Sequence, residues 1–403
     1  MSKNNMVPSI RFKEFTNAWE QERLGEIVDY FNGSSNEKEQ TNEGKFEIVN
    51  LNSISISGEL KPSGKFLHNA FETLKKGDIV MILSDIALGN LLGKSAVIPV
   101  DNRYVLNQRV ALLRKNNSKF NSKFISLFLN KINQSLLFRK GAGSSQLNLS
   151  KKEVINFLIF STSRNEQDKV SLIFNNINSL ITLHQRKLNA LENLKKTLLE
   201  KMFPSENSVF PSIRFKEFTN AWEQERFENI YQKYSVKNNF RLDFNKYISI
   251  ATNTYKNDFT NISKDTLGNY ILFKKGYVAF EGHTNIQFPF GRFVMNTIGD
   301  GIVSNIFSVF KPVFAQDLYY WKYAINNNKV MLEALKKSSK SGIMMNTLDI
   351  EVLNQQIILF PNQKEQNLIG LLFVLLDSLI ALHQRKLNAL ENLKKTLLEK
   401  MFV

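Results

Sequence analysis

The sequence contains no cysteine. That excludes disulfide staples, thiolate metal centres and cysteine nucleophiles, and it suits a cytoplasmic protein. Histidine is scarce: His68, His184, His283 and His383 are all there is. No pair of carboxylates stands at a metal-ligating spacing. The prolines are never adjacent, so the Asn/Asp-Pro-Pro-aromatic motif of amino-group methyltransferases is missing. No Gly-x-Gly-x-x-Gly follows a strand pattern. Gly93-Lys94-Ser95 ends like a phosphate loop, but Leu88 stands where that motif needs its first glycine, so the stretch reads as a turn into a strand. Residues 1–10, MSKNNMVPSI, lack the apolar segment of a signal peptide. The most membrane-like run, Leu368–Leu382, falls short of the ~20 residues a span requires, and Asp377 interrupts it. It reads instead as the buried start of a helix. Acidic residues are also under-represented, 37 against 53 basic ones, giving a net charge of +16. A polyanionic partner is expected, either nucleic acid or an anionic membrane surface. Together these absences argue against a self-contained enzyme.

What is present is repetition. Leu183–Phe203, LHQRKLNALENLKKTLLEKMF, recurs letter for letter as Leu382–Phe402. The block is helical in pattern. Ile177, Ile181, His184, Leu188, Leu191, Lys195, Leu198 and Met202 alternate steps of four and three, and Leu180, Leu183, Leu194 and Leu199 widen the stripe. A polar residue such as His184 or His383 in a helix seam sets register rather than catalysing. Ser163 with Glu166, and Asn362 with Glu365, supply duplicated start signals. From cap to Phe203 the helix is a rod of roughly 60 Å. Two such rods bury their stripes against each other, with Leu188, Leu191 and Leu198 matched by Leu387, Leu390 and Leu397. A second repeat, Pro8–Arg23, returns as Pro211–Arg226 and is expected to anchor through Ile10, Phe12, Phe15 and Trp19. The expected boundaries are a first domain over 1–160, a first long helix over 161–204, a second domain over 205–360 and a second long helix over 361–403. The fold class is mixed α/β (α+β), with two identical frames around two unlike inserts.

Within the first insert the pattern predicts strands at Lys45–Ile56, Ile79–Leu83, Ser95–Pro99, Tyr104–Leu113 and Val154–Phe160, and a helix at Phe120–Arg139. Within the second it predicts strands at Tyr247–Ile250, Tyr277–Phe280, Phe293–Met295 and Ile302–Phe310, and a helix at Leu318–Leu335. Each predicted helix runs into a basic, flexible stretch. In the first insert this is Arg139 and Lys140 leading to Gly141–Gln146, with Ser144, Ser145 and Gln146. In the second it is Lys336, Lys337, Lys340 and Ser341. Lysine and arginine supply attraction to phosphate, and small polar neighbours allow close approach to base edges. His283, Asn285 and Arg292 form a further polar cluster in the second half, matched by Ser84–Asn90 in the first.

The chain resembles the DNA-specificity subunit of a Type I restriction-modification system. The resemblance covers essentially the whole chain. It rests on Arg11, Phe12, Phe15 and Trp19, repeated at Arg214, Phe215, Phe218 and Trp222, on Glu166-Gln167 and Glu365-Gln366 opening each rod, and on the rod itself. It implies that each insert is a target-recognition domain reading one half of a bipartite site in double-stranded DNA. It further implies that the rods pair as an antiparallel coiled coil that sets the unread spacer. Two modification subunits would bind S-adenosylmethionine and methylate adenine at N6. Two restriction subunits, where the system also cleaves, would use ATP and Mg. This chain would hold no cofactor, catalyse nothing, work in the cytoplasm and touch no membrane. Two other readings stand beside it. One is a coiled-coil adaptor joining two protein-binding domains with incidental positive charge. The other is a standalone DNA-modifying enzyme, for which no cofactor site is visible.

Overall fold

The computed structural model describes residues 6–36, 38–85, 91–140, 147–205, 208–256, 264–343 and 345–403, with backbone alone at 85, 132–140, 264 and 265. The chain divides into two compact units. One comprises Met1–His184 with Lys386–Val403, and the other Gln185–Arg385.

In the first unit, Val28–Asn32, Val110–Lys115, Ile79–Ile82 and Ser95–Val97 form a four-stranded antiparallel sheet in that order. Ile79–Ile82 is buried on both faces, which explains its unbroken apolar run. Phe66–Leu67, Phe46–Val49 and Tyr104–Leu106 make a smaller sheet, its last pair parallel. The repeated lead-in ends in Glu20–Arg23, which pairs antiparallel with Leu158–Ser161, immediately before the first long helix, Arg164–Lys201.

The second unit repeats this order with different residues. Its sheet runs Tyr231–Tyr234, Ser308–Pro312, Val278–Glu281, Arg292–Met295. Its lead-in strand, Glu223–Arg226, pairs with Ile357–Phe360, before the second long helix, Gln363–Lys400.

Both helix starts use their predicted caps. The Glu166 amide donates to Ser163 Oγ at 3.4 Å and the Glu365 amide to Asn362 Oδ1 at 3.1 Å. The glutamate side chains do something else. Arg11 donates through Nε and Nη2 to the two Glu166 oxygens, both at 2.7 Å, and Arg214 does the same to Glu365. These are bidentate, charge-assisted pairs with buried carboxylates. They lock each lead-in onto the first turn of its helix.

Each core is completed from the far end of a helix. Phe402 is buried in the first unit, its ring 6.0 Å from that of Trp19 and 5.3 Å from that of Phe124. Phe203, its repeat counterpart, is buried in the second unit, 6.0 Å from the rings of Trp222 and Tyr320. Each long helix thus begins in one unit and ends in the core of the other. Within the second unit the end of the first long helix runs antiparallel to the start of the second: Lys195 meets Asp377 while Phe203 meets Phe373.

Several expectations need correction. Tyr104–Leu113 is two strands, Tyr104–Leu106 and Val110–Lys115, and Ile302–Phe310 likewise splits into Gly301–Val303 and Ser308–Pro312. Lys45–Ile56 yields only the strand Phe46–Val49, because Asn50 caps a turn of 3₁₀ helix at Leu51–Ser53. Val154–Phe160 begins as helix, Lys151–Ile155, because Ser150 and Glu153 form a capping box. Leu318–Leu335 is two helices, Leu318–Ala324 and Asn328–Ser338, because Asn327 caps the second. Trp19 is buried, but Ile10 is exposed and contributes its backbone amide to the Lys400 carbonyl.

The long-helix stripe is narrower than the leucine pattern suggests. Leu188 and Leu387 are buried, and Leu191, Leu198, Leu390 and Leu397 are half-buried, whereas Leu180, Leu183 and Leu194 are exposed. Leu368–Leu382 buries only one face. Ile369, Phe373 and Leu376 face the core, while Leu371 and Leu375 are each 53% exposed. By length and composition this helix is apolar enough to cross a membrane, but the buried face belongs to the aromatic core of the second unit.

Candidate nucleic-acid interface

In each insert the chain just past an interior sheet strand meets the chain that follows the basic stretch. In the first unit, Ser84–Asp85 pairs antiparallel with Leu147–Asn148, and the Leu149 amide donates to the Leu83 carbonyl at 2.8 Å. The Ser84–Asn90 stretch therefore starts beside the residues that follow Gly141–Gln146. Arg139 and Lys140 fall in the last turn of the helix Ser122–Lys140. Ser144, Ser145 and Gln146, like 86–90, lie outside the described residues.

The second unit makes the same junction. The Asn346 amide donates to the Gly282 carbonyl at 2.8 Å, placing the start of His283–Gln287 beside the chain that follows the basic stretch. A side chain at Gly282 would collide with the Asn346 carbonyl, so this approach requires glycine. His283 and Asn285 are exposed. Asn285 Oδ1 accepts from the Gln287 and Phe288 amides, both at 2.9 Å, and this turn projects Ile286 fully into solvent.

The expected flexible loop at Lys336–Gly342 is largely regular. Lys336 and Lys337 form the last turn of Asn328–Ser338, a favourable place for cations against the helix dipole. Ser339–Lys340 then pairs with Thr347–Leu348. Lys340 meets Asp349 at 2.8 Å and Lys336 meets Glu333 at 3.4 Å, both at the surface, where such pairs contribute little. Lys337 is exposed with no ion pair among the described residues. Ser341 is exposed.

Arg292 is more constrained. It donates to Glu281 at 2.6 Å and to the Ala251 carbonyl at 3.0 Å, and its guanidinium lies over the Phe288 ring at 5.1 Å. With Glu281 neutralising it, Arg292 acts first as a strut under the His283–Gln287 turn. It also lines an open groove of about 1040 Å³ within the second unit, shared with Gln287, Lys195, Lys196, Lys322 and Lys329 and with the acids Glu192, Glu200 and Asp377, the last of which engages Lys195 and Lys322. Lys195 and Lys196 belong to the repeated helix block, and Lys322 and Lys329 to no motif. Their convergence is a product of the fold and has no signal in the sequence pattern. Among the described residues no group of three or more His, Cys, Asp or Glu side chains is placed to hold a metal ion.

The exposed Lys337 and the exposed polar side chains of the His283–Gln287 turn are open to an anionic ligand, whereas Lys195 and Lys322 in the groove are engaged by Asp377. The His283–Gln287 turn stands just beyond the end of the strand Val278–Glu281, where it can follow an extended ligand.

Comparison with known proteins agrees. Residues 17–193 match the family described as Type I restriction modification DNA specificity domain. The chain is similar in structure to the Type-I restriction-modification system S subunit from M. genitalium, with a TM-score of 0.63, 16% identity and 99% of each chain covered. It is also similar to a chain from a study of complex assembly and conformational transition of the type I R-M system, with a TM-score of 0.50, 15% identity, and 95% of this chain and 97% of that one covered. At these identities the likeness is one of fold, and it extends along the whole chain. The mixed α/β fold of this protein is that of a Type I restriction-modification specificity subunit.

Proposed function

We propose that this chain is the DNA-specificity subunit of a Type I restriction-modification system, reading a bipartite site with two inserts and directing chemistry carried out by its partners. The observation that carries the reading is the pairing of identical frames with unlike inserts, in each of which the chain just past an interior sheet strand is bonded to the chain that follows the basic stretch. Arg139, Lys140, Ser144, Ser145 and Gln146 serve the first half-site. His283, Asn285, Arg292, Lys336, Lys337, Lys340 and Ser341 serve the second. Lysines and arginines neutralise phosphates, and the polar turns approach base edges.

The long helices act as the ruler between the readers. The antiparallel run of the first helix's end along the second helix's start supports their pairing as a coiled coil. B-DNA advances ~34 Å per turn, so readers on one face of the duplex fit half-sites about one turn apart. The chain holds no cofactor of its own. S-adenosylmethionine belongs to two modification subunits that methylate adenine, and ATP with Mg to restriction subunits where the system cleaves. The assembly works in the cytoplasm.

The test is methylation mapping in a host that carries this chain and its modification partner. Exchanging residues 24–160 for another protein's insert should change one half of the methylated motif and leave the other intact. A change in both halves, or methyl transfer by the purified chain free of partner, would refute the reading.

A further inference from the structure

Where each insert docks on the long helices, one carboxylate faces two lysines, but the carboxylate comes from different places. In the second unit it is Asp377, on the second long helix. Lys195 Nζ lies 2.5 Å from its Oδ1, Lys322 Nζ 3.2 Å from its Oδ2, and the Tyr323 hydroxyl donates to it. In the first unit the repeat counterpart of Asp377 is Asn178, which carries no charge. The counterpart of Lys195, Lys394, is present and nearly buried. There the insert supplies the acid. Glu59 takes Lys123 at 3.2 Å and Lys394 at 3.8 Å, and accepts a hydrogen bond of 2.6 Å from Asn178 Nδ2.

We propose that this migrated carboxylate is a positional code matching each insert to its place on the frame. An insert that brings an acid fits the helix bearing Asn178; an insert that brings lysine and tyrosine fits the helix bearing Asp377. In direct contact the two native clusters have the same balance of two lysines and one carboxylate, with the insert's Lys94 and the helix's Glu391 acting on Lys394 from further off in the first. Moving the second insert to the first position would set Lys322 and Lys394 together with no carboxylate between them, only Glu391 acting on Lys394 from its own helix, and would leave the Tyr323 hydroxyl without its acceptor. Moving the first insert to the second position would place Asp377 where an amide donated to Glu59, so that two acceptors face each other. In partly buried surroundings an unpaired charge costs far more than a surface pair gains. The inference concerns packing within each unit and is independent of what the inserts read.

The experiment uses four full-length chains: the native one, Asn178→Asp, a chain with residues 227–359 replacing 24–160 so that the second insert occupies both positions, and that chain with Asn178→Asp. Asn and Asp have close helix propensities, so effects on the helix itself largely cancel. In the native chain Asn178→Asp should lower the unfolding midpoint of the first unit by about 2–4 °C or more. In the exchanged chain the same substitution should raise it. A change of the same sign in both, or no change in either, would overturn the proposal. Should the exchanged chain not fold, the native chain provides a second reading. Glu59→Gln and Asn178→Asp should each destabilise it, and together, by moving the acid from insert to helix, should restore most of the loss. Additive losses would equally overturn the proposal.

Discussion

Truncating one ring at the end of the second long helix should unfold the unit in which that helix does not begin. Phe402 is 3% exposed, and its ring lies 5.3 Å from Phe124, 6.0 Å from Trp19 and Phe174, and 6.2 Å from Phe128. Burying a phenylalanine contributes about 1.5–3 kcal/mol. Well-placed ring pairs add about 0.5–1.5 kcal/mol each. With the cavity left behind, Phe402→Ala should cost about 3–5 kcal/mol. For a unit of this size each kcal/mol moves the midpoint by about 2–4 °C, so the loss is large enough to see in a melt. Hydrogen exchange read by mass spectrometry on the full chain locates it. Phe402→Ala should lower protection in Ile79–Ile82 and Val110–Lys115 and spare Val278–Glu281 and Ser308–Pro312. Phe203→Ala should do the reverse, through its contacts with Trp222, Tyr320 and Phe373. Equal loss of protection in both units from Phe402→Ala, or none in the first, would refute the exchange of helix ends.

Three further outcomes are expected. Removing charge at Lys336 and Lys337, or at Arg139 and Lys140, should weaken binding to all DNA sequences alike and flatten the salt dependence by a slope of about one per lost phosphate contact; an unchanged slope would place these residues away from the DNA. Inserting Leu-Glu-Asn-Leu after Leu194 and after Leu393 adds about 6 Å per helix and should lengthen the methylated motif's spacer by about one or two base pairs, with both half-sites kept; methylation at the original spacer would show that the helices do not set the distance. Asp377 offers a pH test. Burial pushes its carboxyl up, but hydrogen bonds from Lys195 and Tyr323 and the charges of Lys195 and Lys322 outweigh this and hold it below the ordinary range. A depressed folded-state value gives stability that is present above the unfolded value of about 4 and is lost as pH falls through the folded one. Asp377→Asn should therefore be less stable than the native chain at neutral pH, and the gap should close below about pH 4; a gap independent of pH would show that the charge is not responsible.

The frame was legible because repetition is a property of the string itself. Identical blocks, duplicated caps and a four-three apolar rhythm need no three-dimensional information. The partners were not legible. Glu166 and Glu365 read as capping-box residues, yet their carboxylates are spent on Arg11 and Arg214, more than a hundred positions upstream. The leucine stripe gives the width of an apolar face but not which part of it finds a neighbour, so Leu180, Leu183 and Leu194 read as seam residues and stand in solvent. Short strands such as Leu147–Asn148 fall below the length at which alternation is detectable. The groove lysines Lys195, Lys196, Lys322 and Lys329 converge only once the fold has formed.

The exchange of helix ends also orders events during synthesis. The first unit is translated first, yet it lacks Lys386–Val403 until the whole second unit has been made. At roughly 5–20 residues per second, the stretch from His184 to Lys386 takes about 10–40 s to emerge. Through that interval the Trp19–Phe124 pocket stands open, without the Phe402 ring that closes it. The second unit is a single continuous stretch and has no such wait. The last residue of the second unit therefore precedes, along the chain, the segment that completes the first. Sealing the first pocket means closing a loop of more than two hundred residues, but one already shortened in effect by the folded second unit inside it. A chain truncated before Phe402 would carry every core residue of the second unit and leave the Trp19–Phe124 pocket of the first unsealed.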